Sequence, residues 1–306
     1  MKIIYDYPSQ VGNVNSVIAF GNFDGVHLGH QLIIDTVKNI AFKENLASTI
    51  ITFNPHPSEY LRNKRNFLLL DLDQKISLLQ NSGIDYLYII NFNENFSRLS
   101  ADAFVKNVLV DNCKVKYIVT GHSCFFGHKC LGNMDLLHYY STICGYKVIN
   151  VDPVLVDNVL CSSSLVREYL SQGQMSFANK ILGRLYQING KVIRGLARGR
   201  LIGFPTVNIS IEHMLVPKIG VYSARIRIGD DNIWLNGIVN IGLRPTFNDI
   251  EFPILEMHIF DFNDDIYDQF VAIQLLEFIR PECKFDTIEQ LTQQIQYDIS
   301  EVRRKL

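Results

Sequence analysis

SVIAFGNFDGVHLGH, residues 16–30, decides the fold of the first half of this chain. A β-branched and aromatic run, SVIAF, meets Gly21, Gly25 and Gly29 and then a helical pattern that continues to about Glu44. Strand, glycine-rich turn and helix start together open a βαβ unit. In an open parallel sheet, ligands bind at the carboxyl ends of the strands, and a helix N-terminus offers N–H groups and partial positive charge to phosphate. His27 and His30, three residues apart, share a face of the first helical turn and are placed to donate to one phosphate.

The same alternation extends outward. STIITFN (48–54), YLYII (86–90), KYIVTG (116–121) and KVINV (147–151) read as further strands, with helices near 73–81, 100–110 and 134–143 between them. Strands separated by helices predict an α/β domain with a Rossmann-like parallel sheet covered on both faces. Two short helices, near 163–171 and 176–182, precede Gly183, and then the rhythm changes. YQINGKVI, TVNISI, VYSARIRIG, NIWLNGIVNIG, ILEMHIFDF and FVAIQLLEFI are six strand-like runs without intervening helices, which predicts an antiparallel β-barrel. From Thr287 to Leu306, Ile288, Leu291, Ile295, Ile299 and Val302 form the apolar stripe of a C-terminal helix expected to lie on that barrel. The domains are expected at 1–183 and 184–306.

A length of 306 residues suits two domains. With 47% hydrophobic and 20% charged residues the chain should fold and be soluble. Its 29 Lys and Arg against 31 Asp and Glu supply no basic field for a nucleic-acid backbone. No apolar run reaches a bilayer span, and MKIIYDYPSQ lacks a signal-peptide core, so neither a membrane nor a nucleic acid is expected as partner, and a cytoplasmic location is expected. The cysteines (Cys113, Cys124, Cys130, Cys144, Cys161, Cys283) contain no CxxC pair and are expected as reduced, mostly buried thiols.

GNFDGVHLGH resembles the signature of the HxGH nucleotidyltransferase superfamily, and its FDG form resembles the FMN adenylyltransferase module of prokaryotic bifunctional riboflavin kinase/FAD synthetases. ITFNPHPSEYL (51–61) is similar to that module's second motif, and CSSSLVREYL (161–170) to its serine-rich stretch before an arginine. The resemblance implies ATP binding by Phe23, Asp24, Gly25, Gly29, His56, Ser162, Ser163, Ser164 and Arg167. His27 and His30 would stabilise charge on the ATP α-phosphate. GHSCFFGHKCLGN (121–133) keeps Gly121, Phe126, Gly127, Gly132 and Asn133 but has Ser123 and Cys124 where the family has Asp or Asn and then Phe. That departure removes a contact to nucleotide or flavin, leaving a chain with kinase activity alone as an alternative. His122, Cys124, His128 and Cys130 lack the spacing of zinc ligands.

GKVIRGLARGRLIGFPTVNI (190–209) resembles the riboflavin kinase module, with Gly203, Phe204, Pro205, Thr206 and Asn208 in its GxPTxN-like stretch. The Thr206 hydroxyl and Asn208 carbonyl oxygen, two apart on a strand, are hard ligands suited to Mg²⁺. Gly195 and Arg200 lie in the loop expected to wrap a phosphate chain. NIGLRPTF (240–247), LEMHIFDF (255–262) and FIRPECKF (278–285) are similar to further kinase-module motifs. By resemblance Glu256 is the general base for the riboflavin 5′-hydroxyl. Alternation sets His258 on its side and Leu255 and Met257 opposite, and the cost of burying a Glu in an apolar strand is read as support. Asp265–Ile266–Tyr267–Asp268 stands where the family has Asp-Leu-Tyr-Gly. The implied enzyme phosphorylates riboflavin to FMN and adenylylates FMN to FAD, using ATP and Mg²⁺. A flavin- or nucleotide-binding regulatory protein without turnover is the alternative from another class.

Overall fold

The computed structural model describes residues 1–7, 14–122, 124–195, 198–211, 214–245 and 251–305, with the backbone alone for Arg198, Arg244, Pro245, Glu251 and Phe252. It forms two compact units, Met1–Arg65 with Asp71–Ser162, and Asn66–Leu70 with Ser163–Leu306. Compactness thus divides the chain at Ser162/Ser163, whereas composition changes at Gly183, and the two short helices between go with the second unit.

In the first unit β1 (Lys2–Tyr5), β2 (Ser16–Phe20), α1 (Leu28–Glu44), β3 (Ala47–Asn54), α2 (Pro57–Arg62), α3 (Leu72–Asn81), β4 (Tyr86–Asn91) and α4 (Glu94–Ser97) come in order. They are followed by α5 (Ala101–Ala103, continuing as a π-helix over Phe104–Asn112), β5 (Val115–Gly121), α6 (Met134–Cys144), β6 (Lys147–Val151) and the hairpin β7 (Leu155–Val156) and β8 (Val159–Leu160). The six-stranded sheet runs β1-β4-β3-β2-β5-β6, every pair parallel. Ile18, Ile50, Ile51, Leu87 and Ile90 are fully buried, because both sheet faces are covered. Helix α1 covers one face with Ile34, Val37 and Ala41, at helical three- and four-residue steps. The chain builds outward from β2 through β3 and β4 on one side and then returns to add β5 on the other, so the topological switch lies at β2. The loops leaving the carboxyl ends of the adjacent strands β3, β2 and β5 hold NPHP, GNFDGVH and GHSCFFG.

The second unit contains α7 (Ser163–Gln172), α8 (Met175–Leu182), β9 (Gln187–Lys191), α9 (Arg198–Leu201), β10 (Val207–Ser210), β11 (Gly220–Ile228), β12 (Leu235–Pro245), β13 (Glu251–Ile259), β14 (Phe270–Arg280) and α10 (Ile288–Lys305). Its strands run β10-β13-β12-β11-β14-β9, all antiparallel, and among the described residues the two edges meet through the bridge Ile193–Asn208. The sheet thereby curls into a nearly closed barrel. Ile188, Ile209, Tyr222, Val239, Ile241, Leu255, Met257 and Ile273 fill it, fully buried.

Two expectations need correction here. The C-terminal stripe is buried only toward its end: Val302 and Ile299 join Val221, Ile238 and Phe260, while Ile288 is 63% exposed. Asp298, 2% exposed, is inward together with Val302 although it lies outside the apolar stripe, and it is held by Arg280 with Nη2–Oδ2 at 2.7 Å. The six cysteines are free, but only Cys113 and Cys161 are buried; Cys130 and Cys283 are exposed because each sits in a connection outside the strands.

Candidate active sites

The turn after β2 is held in an unusual conformation. Phe23, Gly25 and Val26 have φ of 46°, 82° and 37°, and a β-branched residue keeps such a φ only where its surroundings impose it. Phe23 and Val26 are 2% and 4% exposed, Gln31 Nε2 donates to Val26 O at 2.9 Å, and Thr52 Oγ1 donates to Asn22 O at 3.2 Å. The clamped turn sends Asp24 inward, 1% exposed, and delivers His27 to the N-cap of α1 and His30 to its first turn. The two imidazoles stack with centroids 3.7 Å apart, and the Phe23 ring lies 5.1 Å from His30. A Cβ on Gly29 would stand 3.1 Å from the His27 ring, so the glycine lets that ring lie down on the helix start. Two imidazolium charges at this separation repel by roughly 4 kcal/mol at an effective dielectric near 20, a cost that a bound anion offsets.

His56 caps α2: its Nδ1 accepts from Ser58 N at 3.0 Å, and Glu59 Oε2 accepts from His56 N at 3.0 Å. Because Nδ1 accepts, the neutral ring carries its proton on Nε2. Behind both turns lies a residue that the sequence reading passes over, Lys75 of α3, 4% exposed. Burial pushes its ammonium below the ordinary value, and the carboxylates of Asp24 and Glu59 pull it back up. Lys75 therefore couples electrostatically to the FDG turn and to the carboxylate that closes the His56 cap. The available cue is its four-residue spacing from buried Leu79.

The structure brings Phe23, Asp24, Gly25, His27, Gly29 and His30 into one turn. Ser162 ends the first unit, while Ser163, Ser164 and Arg167 open α7 in the second. There Arg167 Nε donates to Phe67 O at 2.8 Å, and its guanidinium lies 5.1 Å from the Phe67 ring centroid. In the loop after β5, Ser123 lies outside the described residues. Cys124 is half-buried and burial pushes its thiol up. Phe126 stacks edgewise or tilted on Phe20 and Phe104, each at 5.5 Å, and Asn133 caps α6, accepting from Leu136 N at 3.1 Å.

In the barrel, Asn208 of β10, Glu256 of β13 and Asn240 of β12 occupy one rung. Paired residues of antiparallel strands leave the sheet on the same face, so these three side chains share the face opposite the fully buried Leu255 and Met257. Glu256 is half-buried, not buried, so the expected cost of enclosing its charge does not arise; solvent reaches this outer face. His258 is on the same face as expected. Its Nδ1–H donates to Pro205 O at 2.9 Å and its ring meets Phe204 edge-on at 5.6 Å, which ties the GFPT turn to β13.

Gly203, at φ 90°, turns the chain into that segment. Gly195 lies against the Asn208 amide, where a Cβ would come within 2.6 Å of Nδ2. Asn208, 4% exposed, donates through Nδ2 to Thr206 O at 3.3 Å, which identifies Oδ1 as its accepting atom. Thr206 Oγ1 and Asn208 Oδ1 are hard oxygen donors, a set that fits Mg²⁺. At the barrel mouth a cleft of about 180 Å³ is lined by Arg200, Pro205, Thr206, Met257, Asp264 and Tyr267. The Arg194 guanidinium lies 4.8 Å from the Tyr267 ring. The turn that lacks the family's Gly keeps a left-handed geometry: Asp268 has φ 64°, and its carboxylate pairs with Lys191 Nζ at 2.7 Å.

Residues 10–165 match the family model for FAD synthetase and residues 182–306 that for riboflavin kinase. Proteins named bifunctional riboflavin kinase/FMN adenylyltransferase from Buchnera aphidicola subsp. Schizaphis graminum and from Listeria monocytogenes are each 38% identical over 295 residues. Those alignments cover 95% of this chain and 94% and 92% of the relatives. The protein of the same name from Escherichia coli strain K12 is 32% identical over 95% of this chain and 92% of its own. A solved structure titled as a macrolide-efflux protein from Streptococcus pneumoniae superposes with a TM-score of 0.87 at 31% identity, covering 98% of both chains. Among the described residues of the present chain no helix is long and apolar enough to cross a membrane.

Proposed function

Because this chain belongs to the bifunctional riboflavin kinase/FMN adenylyltransferase family, we propose how its two units divide that chemistry. The enzyme is a transferase that phosphorylates riboflavin to FMN and adenylylates FMN to FAD, with ATP as donor in both steps. Residues 1–183 carry the adenylyl transfer and 184–306 the kinase. The observation that carries this reading is the presence, in one chain, of stacked His27 and His30 at a helix start and of Glu256 on one rung with Asn208.

In the first reaction an FMN phosphate oxygen attacks the ATP α-phosphorus, a new P–O bond forms, and pyrophosphate leaves with the electrons of the broken bond. No enzyme group is covalently modified. His27 and His30 donate to the oxygens on which charge builds, Asp24 and Gly25 hold the turn, Phe23 and Gly29 set the imidazole positions, and His56 donates from Nε2 to a phosphate. Ser162, Ser163, Ser164 and Arg167 are assigned to ATP phosphates by the serine-rich motif they form. His30→Ala is expected to slow FAD formation about 10²–10³-fold, the usual effect of removing one transition-state donor, with FMN formation unchanged. Chromatographic rates for the two flavins check this.

In the second reaction the Glu256 carboxylate takes the proton of the riboflavin 5′-hydroxyl as that oxygen bonds to the γ-phosphorus and ADP leaves. Gly195, Gly203, Phe204 and Pro205 shape the loop over the phosphates, and Arg200 faces them from the cleft. Thr206 and Asn208 would hold Mg²⁺, which when bound supplies positive charge to the phosphate oxygens. Exposed thiols at Cys130 and Cys283 suit a reducing compartment, and we place the enzyme in the cytoplasm. Incubation with riboflavin, ATP and Mg²⁺, resolving FMN and FAD over time, tests both halves. Both flavins are expected in sequence; FMN without FAD at any enzyme level would reduce the activity to the kinase alone.

A further inference from the structure

Two arginines on the outer face of the barrel are held in place without being neutralised. Arg225 and Arg227 lie two apart on β11 and share a face, while Ala224 and Ile226 of the other face are fully buried inside. Arg225 Nε donates to Gln274 Oε1 at 2.7 Å, Gln274 Nε2 to Gln187 Oε1 at 2.9 Å, and Gln187 Nε2 to Asn189 Oδ1 at 2.8 Å. This chain follows the strand register, in which Gln274 pairs with Arg225 on one side and with Gln187 on the other. Neutral amides fix the Arg225 guanidinium but cancel none of its charge. Among the described residues neither Arg225 nor Arg227 forms an ion pair.

Trp234, just ahead of β12, brings the two cations together. Leu235 pairs with Ile226, so Trp234 stands across the hairpin from Arg227. The guanidinium carbons of Arg225 and Arg227 lie 5.0 Å and 5.4 Å from the indole centroid. Stacking on the ring orients both guanidiniums and removes water from them, yet supplies no acceptor for their N–H groups. Arg227 Nε is buried without a hydrogen-bond partner. Its neighbour across β14 is Ala272, which has no polar side-chain atom to offer. A charged donor buried without an acceptor is costly, and an anion is the group that meets the need. The place is separate from the kinase rung: Val221, which pairs with Asn240, lies four residues back along β11, about 13 Å from Arg225.

We propose that Arg225, Arg227 and Trp234 form a binding site for a diphosphate anion, built from residues that neither reaction uses. The two-residue step of a strand separates the arginine Cβ atoms by about 7 Å. Each guanidinium fork takes the oxygens of one phosphoryl group, so two linked phosphoryl groups span the pair where a single one does not. Inorganic pyrophosphate, released by the adenylyl transfer, and the diphosphate of ADP, released by the kinase, carry this chemistry alike. The site itself does not rest on either reaction. Its arginines donate and accept nothing, which selects an anion over a neutral polyol.

Trp234 is the single tryptophan of the chain, so its emission reports this site directly. Titrating the full chain with inorganic pyrophosphate should change that emission saturably, with orthophosphate binding at least about tenfold more weakly. Arg227→Gln is expected to raise Kd for pyrophosphate about ten- to a hundredfold, the loss of charge-assisted hydrogen bonds. Arg225→Lys keeps the charge but loses the fork, and should raise it about tenfold. Rates of FMN and FAD formation by both variants should stay within about twofold of the unaltered chain, which also reports that they are folded. ADP, titrated alongside, separates the two sources: a Kd below that of pyrophosphate assigns the site to the nucleotide, and one at or above it to the inorganic anion, either of which upholds the site. Trp234 emission that does not respond to pyrophosphate, or that responds with the same Kd in Arg227→Gln, would overturn it.

Discussion

Glu256→Gln is expected to slow FMN formation about 10²–10⁴-fold, the range a positioned general base contributes, while FAD formation from supplied FMN continues at its normal rate. The substitution is nearly isosteric. It keeps the side chain on its rung between Asn208 and Asn240 and removes only the capacity to take a proton. Because Glu256 is half-buried on the outer face, the change should move barrel stability by less than about 0.5 kcal/mol, as surface substitutions do. ATP binding, measured by calorimetry, should persist. Normal riboflavin phosphorylation by the variant would remove Glu256 from its role.

The second large effect is on folding. Lys75→Glu replaces the ammonium, at a position 4% exposed, by a carboxylate coupled to the like charges of Asp24 and Glu59. A buried charge left without an opposite partner costs about 3–5 kcal/mol. The unfolding transition of the first unit should fall accordingly, with FAD formation lost and FMN formation kept. Lys75→Met, which buries no charge at that position, should hold the transition at or above that of the unaltered chain. The pH dependence has a definite sign. Burial holds the Lys75 ammonium below its ordinary 10.5, so between the folded and unfolded values the unfolded chain binds more protons, and stability rises with pH toward 10.5. Lys75→Met should flatten that rise. A Lys75→Glu first unit that unfolds at the temperature of the unaltered chain would show that the carboxylates of Asp24 and Glu59 do not act at position 75.

Both domain architectures are legible because each has a plain period: continuous apolar runs for the doubly covered sheet, strict alternation for the barrel. Leu255, Met257 and Ile259 against Glu256 and His258 show the alternation directly. Short elements are not legible. Strand β1 is four residues, and β7–β8 is a hairpin of two-residue strands whose cue, Asp157–Asn158 with φ of 51° and 64°, is a primed turn between apolar runs too short to read as strands, Val154–Leu155–Val156 and Val159–Leu160. The glycine and histidine motifs are visible because chemistry restricts their residue types. Lys75 and Asn240 are not, because their meaning lies in what the fold places beside them: a carboxylate from another turn, a rung partner. Glu256 could be picked out, but the reason given for it fails, since alternation says which face a residue takes and not whether solvent reaches that face.

The bridge between Ile193 and Asn208 is the seam of the barrel, and β10 at that seam is only four residues long. Amide protons along the seam should therefore exchange with solvent faster than those of the long β11–β14 ladder, because opening there breaks fewer bonds. The residue that closes the seam is also the one that would hold the nucleotide's cation. Nucleotide binding and barrel closure would then share a single latch, and amide exchange at Ile193 and Asn208 should slow when ATP and Mg²⁺ are added.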